Sequence, residues 1–145
     1  MKPQNKRTSG KADQALYRQN AGARAEQLAL TYLTKQGLKL VQANYRCALG
    51  EIDLVLVDQQ TSLAPTLVFV EVRYRRTASF MLPEETVDLH KQRKVLAAAK
   101  HFLHKHPACH GAMCFDAIRF DVITLLGDFA KPEIRWLQAA FEDVD

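Results

Sequence analysis

Two apolar runs dominate the middle of this chain, GEIDLVLV at residues 50–57 and LVFVEVRYRR at residues 67–76. Both have the length and the β-branched composition of strands, and the polar loop between them ends at Pro65. Two such runs predict neighbouring strands at the centre of a sheet. With 145 residues, of which 48% are hydrophobic, the chain is long enough for a single domain with a buried core.

Three acids and one arginine interrupt these strands where apolar residues would be expected. Because side chains alternate between the faces of a strand, we expect Glu51 and Asp53 to share one face, as do Glu71 and Arg73. Carboxylates on a half-buried surface are costly unless a cation compensates them, and hard divalent cations prefer oxygen ligands. The sequence therefore predicts a divalent-metal site at the sheet. A structural ion pair at the sheet centre is the alternative.

The remaining elements follow from hydrophobic periodicity and from turn residues. An apolar stripe predicts a helix over residues 20–36, with Asn20 as its N-cap and Gly37 after its end, and a second helix is predicted over residues 86–104. Strands are predicted at residues 38–46, 51–57, 67–73, 117–126 and 133–138, with Trp136 half-buried. Short links make the first three strands an antiparallel meander. The order α-β-β-β-α-β-β defines an α/β fold with a central mixed sheet flanked by helices.

The positive charge of the chain, formally +4, is concentrated in two segments. Residues 1–20 hold five basic residues and one acid, and we expect a flexible basic tail there, ahead of a single domain at residues 21–145. Residues 73–105 hold eight basic residues and three acids. Basic segments beside an acidic cluster suit a polyanion such as nucleic acid, and an ordinary solvated face is the alternative.

The second basic segment supplies candidate ligands for nucleic-acid phosphates. They lie near the acidic strands in sequence and are Arg75, Arg76, Lys91, Arg93 and Lys94. Tyr45 and Tyr74 are candidates to stack on bases, although packing in the core is the commoner role of a tyrosine at a strand end.

Several classes of protein have no support in the sequence. No apolar run approaches the roughly 20 residues that span a bilayer, and the N-terminal residues contain no apolar signal segment, so we expect a cytoplasmic protein. The three cysteines are then reduced thiols. The spacing of His101, His104, His106, Cys109, His110 and Cys114 is irregular and lacks a paired C-x₂-C, which disfavours zinc. No phosphate-binding glycine loop and no G-x-S-x-G turn is present.

The arrangement Asp53…Glu71-x-Arg73 resembles the Asp…Glu-x-Lys core of restriction-endonuclease-like nucleases. From about residue 20 to residue 140 the chain resembles one branch of that superfamily, the YraN family of small bacterial proteins. The matching segments include AEQLA at 25–29, NYR at 44–46, GEIDL at 50–54, VFVEVR at 68–73 and RFDVI at 119–123.

The resemblance implies a restriction-endonuclease-like fold and a metal-dependent endonuclease that hydrolyses phosphodiesters in DNA, including branched or damaged DNA. It implies Mg²⁺ or Mn²⁺ as the cofactor and, in the resolvase branch, a homodimer. Asp53 and Glu71 match the metal-binding acids, and Glu26 matches the helix-borne acid of archaeal Holliday-junction resolvases. Glu51, which shares a face with Asp53, is then an auxiliary metal ligand or an acid that supports the ligands. The residues alone favour an exposed helix position for Glu26.

Arg73 departs from the pattern because it stands where these nucleases have lysine. A lysine can shift its pKa and help to deprotonate water, whereas an arginine stays protonated and can only stabilise or orient the phosphate. Two other functions therefore stay open. One is a non-catalytic nucleic-acid-binding protein of the same fold. The other is an adaptor that binds a protein through its sheet edge or its second helix.

Overall fold

The computed structural model of the protein describes residues 9–60, 65–77, 89–106 and 117–142. In these ranges two helices and five strands occur. They are α1 (Ser9–Lys35), β1 (Lys39–Cys47), β2 (Gly50–Asp58), β3 (Thr66–Arg75), α2 (Leu89–Lys105), β4 (Ala117–Leu126) and β5 (Glu133–Phe141). The predicted order α-β-β-β-α-β-β and the mixed α/β class are confirmed.

The five strands form one sheet in the order β1-β2-β3-β4-β5. The first three pair antiparallel, which confirms the predicted meander, and β4 and β5 also pair antiparallel. β3 and β4 pair parallel along their full length. A parallel pair requires a crossover connection, and α2 lies in that crossover. The chain between the two central strands therefore carries α2 across the sheet.

The helices cover opposite faces of the sheet. On one face Phe102 and Val95 of α2 pack with Phe69 and other buried side chains of β2, β3 and β4. On the other face Ala29 and Leu33 of α1 pack into a second core cluster with residues of the same strands. Each large side chain buried in this way contributes about 1.5–3 kcal/mol of transfer free energy. The near-continuous burial of β3 follows from its position between the two clusters.

The first helix starts well before its predicted N-terminus. α1 begins at Ser9, so Asn20 lies inside the helix and the predicted N-cap is wrong. Residues 10–20 are all exposed, so no apolar stripe marks them in the sequence. They are rich in alanine, glutamine, lysine and arginine, which favour helix through intrinsic propensity. The irregular structure expected there is therefore wrong for residues 9–20, and residues 1–8 lie outside the described ranges, as do residues 86–88 of the predicted second helix.

The last strand is longer than predicted and is anchored by a buried acid. β5 runs to Phe141 instead of residue 138. Asp121 of β4 is fully buried and accepts hydrogen bonds from the indole Nε1 of Trp136 at 2.9 Å and from the backbone N–H of Ala139 at 3.0 Å. Arg119 also donates to Asp121 through Nε at 2.8 Å. Trp136 is half-buried, as predicted.

Neither described helix is long and apolar enough to cross a membrane.

Candidate functional site

The candidate site lies where β2 and β3 stop pairing. Their ladder ends at Leu54 and Val70, whereas β3 continues to pair with β4 as far as Arg75. Just beyond the end of the ladder, the backbone N–H of Val72 donates a hydrogen bond to Oδ2 of Asp53 at 2.8 Å. The carboxylate of Asp53 thus accepts a hydrogen bond from a backbone N–H that has no partner in the ladder between β2 and β3. This contact fixes the side chain of Asp53 between the two strands.

β2 does not keep strict alternation around Asp53. Ile52 belongs to the same core cluster as Val55 and Val57, on the side of α2, although residues 52 and 55 should face opposite sides of an unbroken strand. On the neighbouring strand Asn44 has a positive φ of 53°. The prediction that Glu51 and Asp53 share one face assumes strict alternation along β2. β2 does not alternate strictly at this point, so that assumption fails. Glu51 lies exposed at the rim.

Two carboxylates are held close together at the open end of the sheet. Glu71 of β3 is only 6% exposed, and Asp53 is half-buried. Burial and then the negative charge of Glu71 raise the pKa of Asp53 to about 7, against the smaller opposing effects of the Val72 N–H and Lys91. Because like charges in a poorly solvated place resist joint ionisation, this pair favours an added cation.

Glu26 joins this pair from the other side of the sheet. It projects from α1, is half-buried, and its carboxyl group lies beside the side chains of Asn44 and Asp53. Burial, as the largest cause, raises its pKa. The exposed position that the residues alone favour for Glu26 is therefore wrong. Asn44 is a member of the site that sequence reasoning missed, since a positive φ leaves no periodic signal.

Lys91 contacts the site directly. Its Nζ forms an ion pair with Oε1 of Glu71, and the lysine side chain is 49% exposed. The lysine reaches the carboxylate from the start of α2. The sequence predicts Lys91 only as a phosphate ligand on a basic helix. Its proximity to Glu71 cannot be read from the sequence because the crossover decides it.

The other predicted basic residues divide into two groups. Arg73 is buried, at 8% exposure, on the strand that carries Glu71. Arg75 and Arg76 are exposed at the end of β3, and Arg93 is exposed on α2. The structure therefore brings Lys91 to the carboxylates and leaves Arg75, Arg76 and Arg93 on the surface.

Arg46 is a basic residue near the site that is absent from the predicted set. It lies 3.6 Å from Glu51, measured from Nε to Oε2, and both side chains are exposed. The pair stands at the rim, across the ends of β1 and β2 that adjoin their turn.

A cavity of about 590 Å³ opens beside Glu71, between the β1–β2 turn and the first turns of α2. Its polar lining comes from Arg46, Glu51, Glu71, His90, Lys91 and Lys94. Gly50 packs against α2 so closely that a Cβ there would lie 2.6 Å from the carbonyl oxygen of Lys94. Glycine is therefore required at this contact, which seats the turn against the helix.

The donor set suits a hard divalent cation better than zinc. Within the ranges that the structure covers, no three histidine, cysteine or acidic side chains are arranged to hold a metal on their own. Mg²⁺ is commonly held by one or two carboxylates, with water and substrate phosphate supplying other ligands, whereas structural zinc needs a closed set. Asp53 and Glu71 fit the first pattern. Cys109, His110 and Cys114 lie outside the described residues.

The aromatic candidates belong to the core. The hydroxyl of Tyr45 is hydrogen-bonded to Nδ1 of His101, and the Tyr45 ring packs edge-on against Phe102. The hydroxyl of Tyr74 donates to the carbonyl of Gly127 at 2.9 Å, and its ring stacks on Phe129. Both tyrosines thus take the packing role that was the alternative to base stacking.

The fold and the site define a mixed α/β protein with acidic side chains gathered at the open end of its sheet. Residues 25–125 match the family described as "Uncharacterised protein family UPF0102", and the chain belongs to this family. This confirms the family-level part of the resemblance seen in the sequence. The matched range includes Glu26, Asp53, Glu71 and Lys91.

Relatives from several bacteria cover nearly the whole chain. The chain is 43% identical over 125 residues to a UPF0102 protein of Alcanivorax borkumensis, an alignment that covers 86% of this chain and 93% of the relative. It is 45% identical over 123 residues to a UPF0102 protein of Pseudomonas putida, covering 84% and 93% of the two chains.

Proposed function

We propose that the protein is a metal-dependent endonuclease of restriction-endonuclease-like fold, which hydrolyses phosphodiesters in DNA. The observation that carries this proposal is the close pair of Asp53 and Glu71 at the point where β2 and β3 separate. Acids are rarely buried together without a compensating cation, and the raised pKa of Asp53 reflects a charge that Lys91, which is paired with Glu71, does not fully offset. Strands on a packed sheet also provide the rigid support that a catalytic site needs.

Asp53 and Glu71 would hold Mg²⁺ or Mn²⁺, with Glu26 and Glu51 as assisting acids. The cation would supply charge stabilisation at the phosphate and a more acidic water. Glu26 lies beside Asp53, and the Val72 N–H fixes the direction of the Asp53 carboxylate. These protein contacts keep the two acids in place before any substrate arrives.

Lys91 is suited to the role that Arg73 cannot perform. An amine can exchange a proton with water, whereas a guanidinium cannot. Lys91 touches Glu71 and is half exposed toward the cavity, so it can meet both a carboxylate and an incoming phosphate. Arg75, Arg76, Arg93 and Lys94 would bind the DNA backbone. A second copy of the chain, as in resolvases, is proposed from the resemblance alone.

A second candidate is a non-catalytic DNA-binding protein of the same fold. Two observations favour it: an arginine stands in the lysine position, and Lys91 already neutralises Glu71. In that protein the ion pair would take the place of the metal, and the basic surface would bind phosphates. Salt dependence of binding would be steep in both cases, so cleavage distinguishes them.

The test is cleavage of supercoiled plasmid and of a four-way junction in Mg²⁺, Mn²⁺ or EDTA. We expect cutting that requires metal and falls by about 100-fold or more in Asp53→Asn and Glu71→Gln. Glu133→Gln, which changes an exposed acid on β5, is the matched control and should cut normally.

Lys91→Met separates metal binding from catalysis. Removing the lysine leaves Glu71 without this cation, so Mn²⁺ should bind more tightly, as followed by electron paramagnetic resonance, while cutting decreases. Cutting that persists in EDTA or in Asp53→Asn would refute the nuclease assignment. Absence of cutting together with salt-sensitive DNA binding would favour the second candidate.

A further inference from the structure

The cavity beside Glu71 combines features that the metal site does not require. It lies between two elements that come from different parts of the chain, the turn after β1 and the start of α2. Its volume of about 590 Å³ falls within the range of about 300–1,000 Å³ that is typical of sites for small ligands. The close contact of Gly50 with the backbone of Lys94 gives it a preformed wall.

The charged lining suits one phosphate group. Arg46, Lys91 and Lys94 contribute three positive charges and Glu51 and Glu71 two negative ones, so the lining is net positive even with His90 neutral. Glu71 and Glu51 already have cationic neighbours in Lys91 and Arg46. A phosphate entering from the solvent side would meet Lys94 and His90 at the helix start. Cationic side chains are the usual ligands of nucleic-acid phosphates.

The other side of the cavity is apolar. Leu49, at the tip of the β1–β2 turn, leaves 56% of its surface exposed and lines this side of the cavity. Val95 and the small side chain of Ala48 complete this side. An apolar surface next to a cationic one matches the two halves of a nucleotide, since a base presents a flat face and its phosphate carries the charge.

From this geometry we infer that the cavity receives one unpaired nucleotide of the DNA strand, next to the phosphate at Asp53 and Glu71. A base that is paired and stacked inside a duplex cannot enter the cavity. The nucleotide must therefore be unpaired or rotated out of the stack. The inference rests on the proposed function for its substrate and adds a preference for DNA with an unpaired nucleotide at the cut.

Binding of a free mononucleotide tests the cavity without any cleavage. Deoxyadenosine monophosphate and inorganic phosphate are titrated in EDTA into the full-length protein, by calorimetry and by amide chemical shifts. We expect the nucleotide to bind at least about tenfold more tightly than phosphate and to shift the amide signals of Leu49 and Gly50. Both Leu49→Asp and Lys94→Met should lower the affinity for the nucleotide by about tenfold. Lys105→Met, an exposed lysine at the far end of α2, is the matched control.

A nucleotide that binds no better than phosphate, or equally well in Leu49→Asp, would overturn the inference. A parallel cleavage assay compares a fully paired duplex with the same duplex carrying one unpaired nucleotide. Nucleotide binding without any cutting would support the nucleotide site in the cavity and would contradict the nuclease assignment. Cutting without nucleotide binding would support the nuclease assignment and would contradict the nucleotide site in the cavity.

Discussion

At the scale of single residues, Asp53 combines one favourable and one unfavourable contact. The Val72 N–H stabilises its ionised form, while burial and Glu71 disfavour it more strongly, so that its pKa rises to about 7. An acid whose pKa is raised by folding retains its proton in the folded state over the interval from about pH 4 to pH 7. The folded protein therefore loses stability as the pH rises through that interval.

Asp53→Asn should remove most of this loss. The amide keeps an oxygen for the Val72 N–H but cannot ionise, so the variant should exceed the wild type in stability at pH 8. In EDTA, the urea midpoint of the wild type should decrease from pH 5 to pH 8, and the variant should decrease less. The remaining slope belongs partly to Glu26, whose pKa is raised too. Asp13→Asn, at an exposed position of α1, should follow the wild type. Equal slopes for the wild type and Asp53→Asn would show that Asp53 is not the source of the pH dependence.

The sequence indicates Asp53 and Glu71 because acids stand out within apolar strands. It does not indicate that Lys91 reaches Glu71, since that contact depends on how far the crossover carries α2. Asn44 is invisible to periodicity because its role depends on one left-handed backbone angle. Site residues can thus be predicted where the pattern of their own strand marks them. They cannot be predicted where their role depends on how distant segments are placed or on a single backbone angle.

At the scale of elements, β5 depends on Asp121. The carboxylate is 0% exposed and binds Arg119, Trp136 and the backbone of Ala139. Arg119 extends this network to Asp58 at 3.2 Å. These contacts lie beside the register shift between Phe120 and Val122, where β5 is paired irregularly. The buried acid thus compensates for hydrogen bonds that the ladder does not make.

Asp121→Ala should destabilise the protein by about 3–5 kcal/mol, because it leaves Arg119, the indole N–H and a backbone N–H without this acceptor. Urea unfolding measures the loss. Glu133→Ala removes one partner of an exposed ion pair with Arg135 and should cost about 1 kcal/mol or less. Similar losses in the two variants would show that the buried network is unimportant.

The elements themselves follow from the sequence wherever a buried face imposes a period. The strands and the core-facing half of α1 are of this kind. The exposed first part of α1 has no such period, and the end of β5 is set by contacts with Asp121. These are the places where the predicted bounds are wrong.

At the scale of the whole molecule, the first part of α1 takes no part in the buried core. Residues 10–20 are exposed throughout, and with residues 1–8 they form the most basic end of the chain. Packing does not require this segment. Its positive charge suits it to bind a polyanion, which is DNA in the proposed function.

Deleting residues 1–20 should leave the thermal midpoint within about 2 °C of the full chain, because residues 10–20, the part of this segment whose burial is described, are exposed throughout. The salt dependence of DNA binding should become less steep, since each lost phosphate contact removes about 0.9 from the slope of log K against log salt. Fluorescence anisotropy with a labelled duplex at several salt concentrations measures this. An unchanged slope would show that the segment makes no phosphate contact.

The parallel pairing of β3 with β4 also determines the order in which the sheet can form. β1, β2 and β3 are joined by short links and can pair early, whereas the second edge of β3 stays open until the crossover brings β4 beside it. Closing long-range contacts is slower than forming a hairpin. β3, which is buried along most of its length in the finished protein, therefore has an unpaired edge in the newly synthesised chain until β4 arrives. Aggregation and capture by chaperones should begin at this open edge.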